Sequence, residues 1–344
     1  MTRAGRPVTA LRVIVWVGGL GALLLASLTL GIGFGAGNVS FSALVPGGAP
    51  LDDVERAIVL DVRLPRVLLA ALIGGALTVA GVVFQALLRN PLADPFVLGV
   101  SGGASIGGVS ALLLGFGAAG GLLADLGVPA FAFLGALGAL VLIERIATVG
   151  GRLTVYTILL TGAIFNAFAA ALIYFIQSIA SLQQLHEIVF YLMGRIPSLD
   201  LASLIPIAGI VLLGFGLLFS FARDYNALSL GEEGATQLGV DVEKIKRRTF
   251  VLGSLLTAAS VAVAGLIGFV GLVVPHMLRL ALGPDHRLLL PTAFLGGASF
   301  LVLADLVSRV LLAPNELPVG VVTALIGGPF FLFLLRQRGR QHGF

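Results

Sequence analysis

Four residues late in the chain have the types and spacing that could do chemistry: His276, Arg279, Asp285 and His286. Two imidazoles beside a carboxylate could hold a metal ion or exchange protons. Their spacing fits no H-E-x-x-H helix. A plainer reading places His276 and Arg279 near the polar end of an apolar segment, where long side chains reach the membrane boundary. The chain has no cysteine, which excludes a disulfide, a thiolate metal site and a cysteine nucleophile. Its only lysines are Lys244 and Lys246, and no Gly-Lys dipeptide exists, so there is no Walker A phosphate loop. If ATP drives this protein, another chain hydrolyses it. We therefore assign no catalytic residue, no metal ligand and no cofactor.

The elements that would position these residues are apolar. Of 344 residues, 58% are hydrophobic and 11% are charged, against about 25% charged in a soluble domain. So few charges cannot cover the outside of a soluble protein of this length. That excludes a cytosolic enzyme, a disordered chain and a nucleic-acid binder, and implies a chain embedded in the lipid bilayer. The formal charge is only +4, which basic cytoplasmic loops explain.

Stretches free of Asp, Glu, Lys and Arg cover 13–51, 67–88, 95–124, 126–143, 153–186, 201–222, 249–278, 288–304 and 317–335. A crossing helix needs about 20 such residues. Gly265, Gly268, Gly271 and Pro275 predict a break near Gly265 and a further span from about Ile267 to Leu282. The polar run Gln177 to His186 predicts a surface segment after one span. Ten spans result, and the first, Val13 to Phe34, is too long for a signal-peptide core and is read as a retained helix. Arg3, Arg6 and Arg12 precede the first span and Arg336, Arg338 and Arg340 follow the last. Basic flanks place both termini in the cytoplasm. Arg56, Arg63, Arg66, Arg195 and Arg309 then fall outside, and the other 16 basic residues inside.

The span interiors carry no carboxylate; Asp305 and Glu316 lie near predicted ends. A proton- or ion-driven carrier usually needs such a group, so that alternative is disfavoured. Gly99/Gly103, Gly103/Gly107 and Gly117/Gly121 fit close helix packing. Residues 223–248 form one densely charged segment. Asn226 to Leu238 could form a short helix ended by Gly239, and Asp241 to Arg248 another with Asp241 as its N-cap. The segment is either a solvated connector or a platform for a cytoplasmic partner.

Several strings recur in order along nearly the whole chain. They are Arg63-Leu-Pro-Arg66; Gly74-Gly-Ala with Gly81 and Gln85; Arg89-Asn-Pro-Leu-Ala-Asp-Pro95; and Leu98-Gly-Val-Ser-Gly-Gly-Ala104. Later come Gly268-Phe-Val-Gly-Leu-Val-Val-Pro-His-Met-Leu-Arg279, Asp285-His-Arg-Leu-Leu-Leu-Pro291, Ala304-Asp305 and Glu316-Leu-Pro-Val-Gly320. Together they resemble the FecCD-type permease subunits of ABC importers for vitamin B12, iron siderophores and haem. The resemblance implies an all-α membrane protein of ten helices in one domain. Its five-helix halves, about 11–186 and 199–336, would be inverted with respect to each other. It implies a homodimer in the bacterial cytoplasmic membrane, two cytoplasmic ABC ATPase subunits and an extracytoplasmic substrate-binding protein. By the same resemblance, ferric siderophores lead as substrate, with haem and cobalamin as alternatives.

The resemblance also assigns residues. Arg63, Arg66 and Arg309 match arginines that dock the binding protein, although interfacial anchoring would also explain them. Glu232, Glu233, Gly234, Leu238 and Gly239 match the segment that couples to the ATPase. Asn90 and Leu92 match one cytoplasmic gate loop, and Val155 and Tyr156 align loosely with the other. An Asn-Pro step such as Asn90-Pro91 is also an ordinary turn starter.

Overall fold

The computed structural model describes residues 9–35, 52–116 and 122–341. Arg3, Arg6 and the Gly117/Gly121 pair lie outside the described residues. The first helix, α1 (Ala10–Gly33), starts where the Thr9 hydroxyl accepts from Arg12 N. A capping box between Asp52 and Glu55 opens α2 (Asp53–Ala57). A π-helical turn, Ile58–Arg63, then leads directly into α3 (Leu64–Leu87). The wide turn sits just before Pro65, which has no N–H to give to the ladder.

After α3 the chain turns through Arg89, which has φ +46, and a 3-10 helix at Pro95–Leu98. Then come α4 (Val100–Leu113) and α5 (Leu122–Ala147). A two-stranded hairpin follows, β1 (Thr148–Val149) and β2 (Arg152–Leu153). Its turn is Gly150-Gly151, both with positive φ, as a two-residue hairpin turn requires. The chain continues as α6 (Val155–Ile179), α7 (Leu182–Met193), α8 (Leu201–Ser220), α9 (Ala222–Leu228), α10 (Glu232–Gln237), α11 (Val242–Ala264), α12 (Val270–Leu282), α13 (His286–Val310) and α14 (Val319–Gln341).

Among the described residues, seven runs are long and apolar enough to cross a membrane: α1, the continuous Asp53–Leu87 run, Gly127–Ala147 within α5, α6, α8, α11 and α13. Three shorter apolar helices accompany them, α4, α12 and Val319–Phe333 within α14. The expected ten is reached only by counting these. Thirteen residues, as in α12, rise only about 20 Å, short of the roughly 30 Å hydrocarbon core. The break at Gly265 is present, with φ +70, and Phe269 at φ +68 starts the short helix that follows.

Two sequence expectations need correction. The single helix from Asn226 to Leu238 is two, α9 and α10, separated at Gly231, whose φ of +100 cannot continue a helix. The helix from Asp241 to Arg248 does not stop there. Asp241 does cap it, accepting from Lys244 N at 3.1 Å. The ladder then runs unbroken to Ala264, because no proline interrupts it. The polar run after α6 behaves as expected: α6 ends at Ile179 and a Ser181/Gln184 capping box starts α7.

The central helix is α3, buried over 83% of its apolar window where α1 is buried over 6%. It packs on α11, α12 and α13. Backbones touch there because side chains are missing. A methyl group on Gly74 would collide with Gly297 O, and one on Gly81 with Gly271 O. Gly103 and Gly107 do the same for α4 against Gly135, Ala139 and Phe131 of α5. We expect Gly81→Ala to force α3 and α12 apart at an overpacking cost of about 1–3 kcal/mol. A lowered thermal midpoint of the detergent-solubilised protein would show it; an unchanged midpoint would mean that the contact is loose.

Candidate functional site

The polar groups collect at the two ends of the bundle. At one end, the start of α3 meets the ends of α1 and α13. Arg66 Nε donates to Asp305 Oδ1 at 3.0 Å, and its Nη1 donates to Glu316 Oε2 at 2.8 Å. Arg309 Nε lies 2.9 Å from Asp305 Oδ2, close enough for ion pairing but not aligned as a hydrogen bond. The other guanidinium atoms of Arg309 donate to Phe34 O at 3.2 Å and Gly31 O at 3.0 Å. Arg63 donates to Ile32 O and Gly33 O, both at 3.0 Å. Two cations therefore satisfy the open carbonyls at the end of α1, where the helix dipole is negative.

The sequence placed Arg63, Arg66 and Arg309 as outward-facing docking groups. All three are buried, at 3%, 8% and 3% exposure. Arg66 and Arg309 are engaged through all their guanidinium nitrogens and Arg63 through Nη1, so exposed guanidiniums are not what this end presents. Asp305 also departs from expectation. It lies inside α13 and is wholly buried, but two arginines neutralise it, so it is no vacant ion site.

At the opposite end, Asn90 is an ordinary turn residue: its Oδ1 accepts from Leu92 N at 3.0 Å. Asn90 is exposed and Leu92 half-buried. Asp94 caps the 3-10 helix by accepting from Phe96 N at 2.8 Å, and Asn166 of α6 donates to Phe96 O at 2.9 Å. The loop is thus moored to α6. Val155 and Tyr156 open α6, and Tyr156 projects outward at 74% exposure. Glu232, Glu233 and Gly234 form the first turn of α10; Leu238 and Gly239 follow it. Leu230 and Leu238 are exposed on either side of α10.

The four late residues do not assemble into one site. His276 is buried within α12. Arg279 donates to Gln85 Oε1 at 2.7 Å. Asp285 caps α13 and holds Arg287 at 2.7 Å and Asn226 at 2.8 Å. The hydrogen bond from Arg287 holds the Asp285 carboxyl down to about 2. His286 packs on Tyr225 with ring centroids 5.6 Å apart. Among the described residues no group of three His, Asp or Glu side chains could hold a metal.

Sequence reasoning missed Glu243 and Lys246. Lys246 is nearly buried and contacts Glu243 at 2.5 Å and Glu232 at 3.3 Å. A signal existed: Glu243 and Lys246 stand one helical turn apart in a chain with two lysines.

Comparison with known proteins gives one answer. Residues 23–337 match the FecCD transport family. The hemin transport system permease protein HmuU of Yersinia pestis is 41% identical over 94% of this chain and 97% of its own length. The cobalamin import system permease protein BtuC of Halobacterium salinarum is 41% identical over 90% of this chain and 80% of its own. A metal-chelate type ABC transporter solved in an inward-facing conformation superposes with a TM-score of 0.81. It is 32% identical and covers 94% of this chain and 99% of its own.

Asp305→Asn would leave Arg66 and Arg309 buried without their shared counter-charge, at a cost of about 3–5 kcal/mol. Glu316 is partly exposed, so Glu316→Gln should cost about 1 kcal/mol or less. Thermal unfolding of the two variants in one detergent checks the order; equal effects would contradict it.

Proposed function

This chain belongs to the FecCD transport family, and we propose that it lines the pathway by which an ATP-driven importer passes a large metal chelate across the cytoplasmic membrane. The observation that carries this is the family match across residues 23–337 together with a charged segment that runs from the end of α8 into the first turns of α11. The chelate class follows from relatives named for haem and cobalamin and from a neighbour described as metal-chelate type. Ferric siderophores, haem and cobalamin all belong to that class. Two copies of this chain would enclose the pathway, with both termini in the cytoplasm.

The mechanism needs no binding site of high affinity in this chain. A large polar cargo is held by an external binding protein, and a wide cavity between two copies needs only gates. ATP binding draws two ATPase subunits together, and segment 223–248 carries that motion into the helices. Leu230 and Leu238, 68% and 64% exposed on a charged segment, suit a partner groove better than water. The loop at Asn90–Leu92 and the first turn of α6 at Val155–Tyr156 are the gates in this reading. The halves 11–186 and 199–336 would each hold one long helix, a kinked turn and a short helix: α3 with α4, and α11 with α12. That repetition supports an inverted pair.

The binding protein would dock at the end bearing Arg63, Arg66 and Arg309. Since Arg66 is already held by Glu316 at 2.8 Å, a carboxylate of the binding protein would compete with Glu316. Arginine–carboxylate pairs of this kind fix orientation and speed encounter. Glu316→Gln is expected to tighten capture of the binding protein several-fold, measured by surface binding to the reconstituted complex. Weaker capture would overturn the role of Arg66.

The whole reading is tested by reconstitution. Uptake should require a co-purifying ATPase and stop with orthovanadate. Vanadate-insensitive uptake abolished by an uncoupler would instead establish an ion-coupled carrier.

A further inference from the structure

Lys246 lies in the second turn of α11, and its side chain is almost wholly withdrawn from solvent, at 6% exposure. Its ammonium faces two carboxylates, Glu243 Oε1 at 2.5 Å and Glu232 Oε2 at 3.3 Å. Each carboxylate uses its other oxygen elsewhere. Glu243 Oε2 accepts from Leu153 N at 2.8 Å, at the end of the β1–β2 hairpin. Glu232 Oε1 faces Arg89 Nη2 at 4.0 Å, in the turn after α3. One buried cation thus stands between α10, the loop after α3 and the loop before α6. A second tie, Arg247 Nε to Glu144 Oε1 at 2.6 Å, fixes α11 to the end of α5 just ahead of the hairpin.

We propose that Lys246 is a positioning residue that makes α10 and the two loops 89–95 and 148–154 move as one unit. This rests on the reading of 223–248 as the ATPase-docking segment. The chemistry explains the residue type. An ammonium offers three donors around a point, so it can face two carboxylates from different elements at once. Being nearly buried, it loses a charge-assisted hydrogen bond that water does not readily replace if either carboxylate leaves, and all of its counter-charge if both do. A displacement of α10 therefore carries Glu232, Lys246 and Glu243 with it, and Glu243 holds the backbone of Leu153. α10 is a short rigid piece between Gly231 and Gly239, whose φ values of +100 and +84 belong to turns. It is built to be displaced whole. The contact from Glu232 to Arg89 is the longest of the set and half-exposed, so the loop before α6 is the more tightly held of the two.

The test uses the complete importer in proteoliposomes, with its ATPases and binding protein, and measures chelate taken up per ATP hydrolysed. Lys246→Met is expected to lower that ratio about tenfold, while Lys246→Arg, which keeps the charge, stays within about twofold. A ratio unchanged in Lys246→Met overturns the proposal. A second measurement does not alter Lys246. The chain has no cysteine, so Thr154→Cys and Gln237→Cys give the only two spin-labelling sites in each copy. Labelled chain is diluted with unlabelled chain before assembly with its partners, so that the distance between the two labels within one copy is read. Their separation should hold constant when ATP binds; a change of more than about 5 Å would show that α10 and the hairpin move apart and would overturn it. A Gly234→Cys cross-link to the ATPase separates the two readings. If it never forms, the docking reading falls and this proposal with it. If it forms while Lys246→Met transports normally, only this proposal falls.

Discussion

Asp305 is a carboxylate with no access to water, held between Arg66 and Arg309. Removing such a charge from water is costly, and only close counter-charges offset it. That requirement fixes the relative placement of α3 and α13, since Arg66 and Asp305 are 239 residues apart in sequence. Arg309 and Arg63 then extend the constraint to α1 by donating to its last carbonyls. Most of the remaining helix packing is apolar or backbone against backbone, with isolated polar ties such as Arg279 to Gln85. The cluster supplies register where lipid-facing helices otherwise could slide, because lipid gives helices no hydrophobic reason to choose one partner over another.

The opposite end shows the same economy with a different purpose. There Lys246 is nearly buried while Glu232 and Glu243 reach the surface, and the ion pairs add directional ties between elements that the apolar core also packs together. Glu232 links α10 to α11 and to the turn after α3, and Glu243 links α11 to the end of the β1–β2 hairpin. One end of the molecule is fixed by a fully buried carboxylate between two arginines; the other is linked by a nearly buried lysine between two carboxylates that reach the surface.

Much of this was legible in the sequence, for reasons that mark where the rest was not. The long helices were readable because a membrane demands unbroken apolar runs. The short α12 was readable from the glycines and proline around Gly265. Boundaries failed where charge was taken as an end. α11 begins among Lys244, Lys246, Arg247 and Arg248, and α13 continues past Asp305 to Val310. A helix stops for backbone reasons, not because a charged side chain occurs. The three arginines lie at one end of the bundle, but their burial depends on Asp305 and on the end of α1. Sequence alone could not bring those together. The hairpin at Thr148–Leu153 was missed, although Gly150-Gly151 between short runs is its usual signature.

The separation between Arg66 and Asp305 also has a meaning in time. A chain emerging from the ribosome inserts α3 long before α13 exists. Through most of synthesis Arg66 has neither Asp305 nor Glu316 to meet, and a site near the water boundary at the start of its helix is the less costly place for it. The arrival of Asp305, late in translation, is what allows that arginine to be drawn inward. Closure of the bundle is therefore a late event by construction, and the last quarter of the chain decides whether the first quarter reaches its final place.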